Sequence, residues 1–196
     1  CALPICRVGI GFADAAGRAQ LIETVRCWFD LAGDGCVSRA LRLQTSHALF
    51  GFVDHYLKHG VKLCANIKPC LLHDHPRYGE VEAAGLFIKD ADGSPAQVQF
   101  WDETGAYLDF TNPDTYAWWK ARVTDALLEY GIASTWNDNN EFEVWSDKAT
   151  IHNFGQPRRA CEAKPLHTLL MIRASREAQA AYSPGKRPYL ISRSGC

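Results

Sequence analysis

Residues 132–141, IASTWNDNNE, decide the fold that this sequence predicts. The run from Ile132 to Thr135 is short and mostly apolar, as in a buried strand, and the polar residues after it place carboxylates where the strand meets a loop. In a barrel of parallel strands, catalytic groups lie at this edge. We therefore expect Asp138 to lie at the carboxyl end of a strand and to face a site.

Helix and strand patterns alternate on both sides of this segment. Strand-like runs occupy residues 61–67, 132–136 and 189–193, and a helical pattern precedes each of them. This alternation requires parallel strands that are joined by right-handed crossovers. The predicted fold class is therefore α/β, with a parallel sheet and helices outside it.

Capping residues mark the ends of the predicted helices. Asn-Pro-Asp at residues 112–114 is typical of an N-cap and first helical turn, and Pro165 begins the next helix. Gly60 and Gly131 are typical of the residue that follows a helix. The predicted apolar faces are Leu49, Phe52, Val53, Tyr56 and Leu57; Tyr116, Trp119, Val123, Leu127 and Tyr130; and Leu166, Leu169, Leu170, Ile172 and Ala174.

The connection between Pro69 and Thr111 is long for a compact fold, and such loops tend to be functional. It contains an exposed-looking run, QFWD, at residues 99–102, and the sequence HDH at residues 73–75. The two histidines of HDH lack the i, i+4 spacing of zinc-binding helices, and no third ligand follows at a recognisable distance. We therefore expect no metal site.

Composition excludes several classes of function. The 196 residues are 47% hydrophobic, which suits one domain or a part of one. The net charge of -1 arises from interspersed charges, so we expect no nucleic-acid partner. No apolar run approaches the ~20 residues that span a bilayer, so we expect no membrane partner. The eight cysteines form no CxxC pair, and we expect unpaired thiols.

Three motifs resemble glycoside hydrolase family 31, the α-glucosidase and α-xylosidase family: WNDNNE at residues 136–141, DFTNP at 109–113 and ISRSG at 191–195. In that family the first motif runs Trp, any residue, Asp, Met, Asn, Glu, and its Asp is the nucleophile. Trp136, Asp138, Asn140 and Glu141 match, and Asn139 replaces the Met. The resemblance implies an α-glucosidase-like retaining enzyme with a covalent glycosyl-enzyme on Asp138. It also implies a partial (β/α)8 TIM barrel that contains roughly the middle strands.

The resemblance assigns further residues to the sugar-binding site. Arg193 is expected near the nucleophile, where a cation keeps Asp138 ionised. Trp136 is expected to wall the sugar subsite and Glu141 to orient its neighbours. The remaining candidates for substrate contact are Trp101 and Asp102. Residue type alone leaves alternatives open: core packing for Trp136, a turn or helix cap for Asp138, and a surface position for Arg193.

The resemblance covers residues 48–196, which we interpret as a fragment of a catalytic barrel. The family's general acid/base is an Asp in a Trp-Gly-Asp sequence beyond the ISRSG strand, so we expect it outside this chain. An isolated fragment with open sheet edges is expected to be marginally stable and inactive. Residues 1–47 match no pattern and are an unassigned N-terminal segment. Residues 2–5, ALPI, are what the adapter bases GCTCTTCCGATC encode, so we hypothesise that this segment is partly a sequencing artefact.

The expected substrate is an oligosaccharide or an α-glycoside, and the resemblance implies no cofactor. The oligomeric state and the compartment stay open, with the cytoplasm favoured. Six Trp and seven Tyr could stack on sugar rings, so a non-catalytic carbohydrate-binding or scaffold protein is the alternative from another class. Transglycosylase or lyase chemistry on the same fold is a further alternative.

Overall fold

Helices and strands alternate along the chain. The fold is that of a computed structural model, which describes residues 7–9, 50–100 and 103–193. In chain order, the main elements are β1 (Arg7–Gly9), α1 (50–58), β2 (Cys64–Ile67), β3 (Cys70–Leu72), α2 (Tyr78–Ala83), β4 (Gln97–Gln99), β5 (Thr104–Tyr107), α3 (Pro113–Ala126), β6 (Ser134–Asn137), β7 (Thr150–Ile151), β8 (Arg158–Arg159), α4 (Lys164–Tyr182) and β9 (Tyr189–Ser192). Short 3-10 helices lie at Leu128–Tyr130, Asn153–Gly155 and Ala160–Glu162.

The central sheet has the strand order β1-β2-β6-β9. Strands β2, β6 and β9 are parallel, with Asn66, Trp136 and Ile191 in register across them. This confirms the predicted α/β class and the parallel arrangement of the three expected strands. Strand β1 pairs antiparallel with β2, which departs from the all-parallel order of a barrel. The sequence did not predict β1, because residues 1–47 show no period of either 2 or 3.6.

Helix α3 begins as predicted. The Asn112 side chain accepts a hydrogen bond from the backbone N–H of Asp114 at 3.0 Å, and Pro113 lies in the first turn. The helix ends at Ala126, and a 3-10 turn then leads to Gly131, whose φ of 86° is left-handed. The predicted face is confirmed for its buried members, which are Trp119, Val123 and Leu127. Tyr116 and Tyr130 are half-buried.

Helix α4 buries only part of the predicted face. Ala174 is fully buried, and Leu166 and Leu170 pack partly buried against the core, whereas Leu169 is 58% exposed. The buried face consists of His167, Thr168, Met171, Ala174, Ser175, Ala178 and Gln179. Its polar residues have partners: Ser175 accepts from the Trp119 indole N–H at 3.0 Å, and Gln179 donates to Thr135 at 3.2 Å. The hydropathy pattern did not predict the polar part of this face, because it takes no account of hydrogen-bond partners on other elements.

The long connection after Pro69 has secondary structure of its own. Strands β3, β5 and β4 form an antiparallel sheet in that order, and α2 lies between β3 and β4 in the chain. Gly105 in β5 allows close strand contact, since a Cβ there would lie 2.3 Å from the Leu71 carbonyl oxygen. Of the run at residues 99–102 that was expected to be exposed, Gln99 is exposed. Phe100 packs partly buried against the core, and residues 101–102 lie outside the described ranges.

The described residues carry few signs of other functions. Among them, no helix has the length and apolar character to cross a bilayer. Residues 7–9, 50–100 and 103–193 bring together no group of three or more His, Cys, Asp or Glu side chains that suits a metal ion. Cys64, Cys70 and Cys161 have free thiols, and the other five cysteines lie outside those ranges.

Candidate active site

Asp138 follows β6 directly, at the carboxyl end of the parallel sheet. Its backbone N–H donates to the Ile67 carbonyl of β2 at 2.8 Å, so the residue continues the strand pairing by one step. Thr135 faces α4, where it meets Gln179. Because side chains alternate along a strand, Trp136 and Asp138 lie on the opposite face of the sheet, away from α4. That face is the inner one of a barrel whose helices lie outside.

Four hydrogen-bond donors surround the Asp138 carboxylate. Oδ2 accepts from the Lys68 ammonium at 2.6 Å and from the Asn66 side-chain amide at 3.1 Å. Oδ1 accepts from the Arg193 guanidinium at 3.2 Å and from the backbone N–H of Asn139 at 2.9 Å. Asp138 is only 8% exposed, yet each of its oxygens has a cationic partner. The residues after three parallel strands therefore converge on one carboxylate.

These partners keep Asp138 ionised. Burial by itself raises the pKa of the carboxyl group, but the hydrogen bonds from Lys68 and Asn66, the Lys68 charge and the Arg193 hydrogen bond outweigh it. The net effect lowers the pKa of Asp138 to about 2. Such a group cannot supply a proton at neutral pH. It can act as a nucleophile or stabilise a positive charge, and a carboxylate of low pKa is also a good leaving group.

Arg193 links the ends of β6 and β9. Its backbone N–H donates to the Asn137 carbonyl at 3.0 Å, and its guanidinium also bonds the Glu141 carboxylate at 2.9 Å. Half of the Arg193 side chain is exposed, so its outer edge is open to solvent. The structure thus brings Asp138, Arg193 and Glu141 together, as the resemblance implied. Glu141 contacts Arg193, and its role in orienting its neighbours stays a prediction.

The loop that follows Asp138 is held in place by contacts with other elements. The Asn140 side-chain amide donates to the Ser192 hydroxyl at 2.9 Å, and the Asn140 carbonyl accepts from the Thr168 hydroxyl at 2.6 Å. Phe142 is 1% exposed and stacks on the His167 ring, with centroids 4.7 Å apart. These contacts to α4 and β9 fix the backbone next to the carboxylate.

Trp136 is 38% exposed on the face that also carries Asp138. Its neighbours across the sheet are Asn66 and Ile191, and Ile191 is 44% exposed. Tyr189, two residues before Ile191 and on the same face, is 60% exposed. Trp136 therefore presents an aromatic surface beside the carboxylate. Trp101 and Asp102 lie outside the described residues.

No motif in the sequence marks Asn66 or Lys68 as a site residue, and neither was among the candidates, yet they are two of the four donors to Asp138. Both lie in or just after a strand whose other residues are largely apolar, and they are two positions apart. A period of two puts them on one face at the strand's carboxyl end, which is also where Asp138 was expected. That spacing was the available signal.

The amino-acid sequence of this chain is similar to those of known proteins. Residues 42–196 match the family model described as glycosyl hydrolases family 31 TIM-barrel domain. The chain is 28% identical over 144 residues to alpha-glucosidase 2 of Bacillus thermoamyloliquefaciens, covering 69% of this chain and 18% of that protein. It is 29% identical over 128 residues to neutral alpha-glucosidase C of Mus musculus, covering 62% of this chain and 14% of that protein. The chain thus spans less than a fifth of either relative.

The fold also resembles solved structures. A GH31 dextranase from Flavobacterium johnsoniae, complexed with glucose, superposes with a TM-score of 0.67 at 20% identity. The superposition covers 75% of this chain and 19% of the dextranase. A GH31 sulfoquinovosidase from E. rectale in complex with an aza-sugar inhibitor gives a TM-score of 0.67 at 22% identity, over 75% of this chain and 21% of that one. The likeness supports the assignment of the fold to a TIM barrel.

Proposed function

The chain belongs to glycoside hydrolase family 31, and from that premise we propose that it forms part of the catalytic barrel of a retaining α-glycosidase. The proposed enzyme hydrolyses terminal α-linked sugars, with Asp138 as the nucleophile. The observation that carries this proposal is a buried, ionised carboxylate at the carboxyl end of β6, bonded to Lys68 and Arg193.

The proposed reaction has two steps. An Asp138 oxygen attacks the anomeric carbon while the bond from that carbon to the leaving oxygen breaks, and a second carboxyl group gives its proton to that oxygen. Water then attacks the glycosyl ester, the second group takes a proton from the water, and Asp138 departs as a carboxylate. We place the second group in a part of the enzyme beyond these 196 residues. The low pKa of Asp138 favours both steps, because the group is ionised for attack and leaves readily.

The exposed inner face of the sheet fits a barrel that continues beyond these strands. Trp136, Tyr189 and Ile191 are 38%, 60% and 44% exposed on the side where the remaining strands of a barrel would lie. We therefore predict that the 196-residue chain by itself is marginally stable and does not turn over an aryl α-glycoside. Cooperative melting of this chain together with such turnover would contradict the prediction.

Substitution of Asp138 in the complete enzyme tests the proposal. We expect Asp138→Asn to lower kcat by at least about 1,000-fold and to leave substrate binding largely intact. Asp125→Asn is the matched control, since Asp125 makes an exposed ion pair with Arg122 on α3, and it should stay within about twofold of wild type. Asp138→Gly with added azide should form a β-glycosyl azide from an α-glycoside, because azide then replaces the missing nucleophile.

Each outcome of this test has a definite meaning. Retained turnover in Asp138→Asn would remove Asp138 as nucleophile and with it the proposal. Glycan binding without any turnover in the wild-type complete protein would favour the non-catalytic alternative. Analysis of the products by NMR separates hydrolysis with retention from transglycosylation and from lyase chemistry.

A further inference from the structure

Lys68 contacts the candidate nucleophile, although no motif marked it. It follows Ile67, the last residue of β2, and its ammonium bonds both Asp138 Oδ2, at 2.6 Å, and the Asn139 side-chain oxygen. The Lys68 side chain is 15% exposed. An ammonium group that is withdrawn from water is costly unless its N–H donors find partners, so these contacts determine where the side chain lies.

The strand pairing explains why this lysine reaches Asp138. Ile67 is in register with Asn137, so the next residues along the two parallel strands, Lys68 and Asp138, lie opposite each other. Asn66 lies two residues before Lys68, on the same face, and donates to the same Asp138 oxygen. Strand β2 thus supplies one neutral and one charged donor to a single oxygen atom. The contact between Lys68 and Asp138 therefore depends on the register in which β2 pairs with β6.

Asn139 completes a closed group with Lys68 and Asp138. Its φ is 49°, a left-handed conformation that Asn tolerates better than most residues. Its backbone N–H donates to Asp138 Oδ1 at 2.9 Å, while its side-chain oxygen accepts from Lys68. Lys68 therefore bonds Asp138 Oδ2 and the side chain of Asn139, and the backbone N–H of Asn139 bonds Asp138 Oδ1. A Met at position 139, as in the family motif, offers only a weakly accepting sulfur to this ammonium.

We propose that Lys68 is a positioning residue that, paired with Asn139, holds the Asp138 carboxylate in one orientation toward the sugar. Lys68 acts through Asp138 and does not bond substrate. The inference rests on the proposed role of Asp138. It also accounts for the Asn at position 139, because Lys68 and Asn139 are complementary partners.

A titration of Asp138 in the complete enzyme tests the contact without any need for turnover. We expect Lys68→Met, which is one atom shorter, unbranched and uncharged, to raise the Asp138 titration midpoint by about 1 to 2 pH units. Lys68→Arg should keep the midpoint within about half a unit of wild type, because the charge is retained. The readout is the 13C chemical shift of the Asp138 carboxyl carbon, assigned from its loss in Asp138→Asn. An unchanged midpoint in Lys68→Met would overturn the inference.

Kinetics of the complete enzyme test the positioning role and the pairing. We expect Lys68→Met to lower kcat by about 10-fold or more with KM within about threefold, and Lys68→Arg to recover most of the loss. The double variant Lys68→Met with Asn139→Met should be no slower than Lys68→Met alone, because the two residues act as a pair. Independent, multiplying losses would overturn the pairing.

The outcomes separate this inference from the proposed function. If Asp138→Asn abolishes turnover while Lys68→Met keeps wild-type kcat, only the inference about Lys68 fails. If Asp138→Asn keeps turnover, the proposed function fails. Should Lys68→Met not fold, Lys68→Gln removes the charge and retains a hydrogen-bond donor, so we expect an upward shift in midpoint that is smaller than that of Lys68→Met, and an unchanged midpoint would again overturn the inference.

Discussion

His167 offers the most direct test of the packing beneath the candidate site. It lies on α4, is 1% exposed, and stacks on Phe142, four residues after Asp138. Within the described part of the chain, neither of its ring nitrogens has a hydrogen-bond partner. The nearest carboxylate oxygen is Asp109 Oδ1, at 3.9 Å from His167 Nε2. Asp109 bonds elsewhere, since it accepts from Thr111 and from the His152 backbone N–H.

Burial lowers the pKa of His167 to about 4, although the Asp109 charge opposes this effect. In the unfolded chain a histidine titrates near pH 6.5. The unfolded chain therefore binds more protons than the folded one between about pH 6.5 and pH 4. Stability is full above that range and falls as the pH decreases through it. The loss between pH 7.5 and pH 5 amounts to about 2 kcal/mol, which is a large part of the stability of a small domain.

His167→Phe removes this titration while keeping an aromatic ring against Phe142. We expect the wild-type chain to lose about 2 kcal/mol more unfolding free energy than His167→Phe when the pH changes from 7.5 to 5. The measurement is urea unfolding at both pH values, followed by tryptophan fluorescence. His55→Phe, on the exposed face of α1, is the matched control and should keep the wild-type pH dependence. Equal losses in wild type and His167→Phe would refute the assignment of a neutral, buried His167.

Three further substitutions test the packing of the fold. Gly105→Ala should destabilise the chain by at least about 2 kcal/mol in urea unfolding, because the new Cβ would lie 2.3 Å from the Leu71 carbonyl oxygen. Gly51→Ala is the matched control. It has open space in α1 and should stabilise the chain by up to about 1 kcal/mol. Trp119→Phe should lower the free energy of unfolding by about 1–3 kcal/mol, since it leaves a cavity and removes the donor to Ser175. A loss below about 0.5 kcal/mol would contradict the packing of α3 on α4.

Local sequence patterns predicted the elements that depend on neighbouring residues. The Asn112 cap bonds the backbone two residues later, so its signal is complete within a few positions. The buried face of α4 could not be predicted in this way, because Ser175 and Gln179 are buried by partners on α3 and β6. The small antiparallel sheet after Pro69 escaped prediction for a similar reason. Its strands have only three or four residues each, which is too short for a clear period.

The sequence alone determined the α/β alternation, the place of Asp138 at the end of a strand and its proximity to Arg193 through a family motif. Only the tertiary structure decided that Asn66 and Lys68 bond the same carboxylate across 72 and 70 residues of chain. The physical reason is the distance along the chain over which each signal acts. Hydropathy periods and caps are set by residues within a turn or two, whereas contacts between parallel strands depend on a register that the packing of the whole chain establishes.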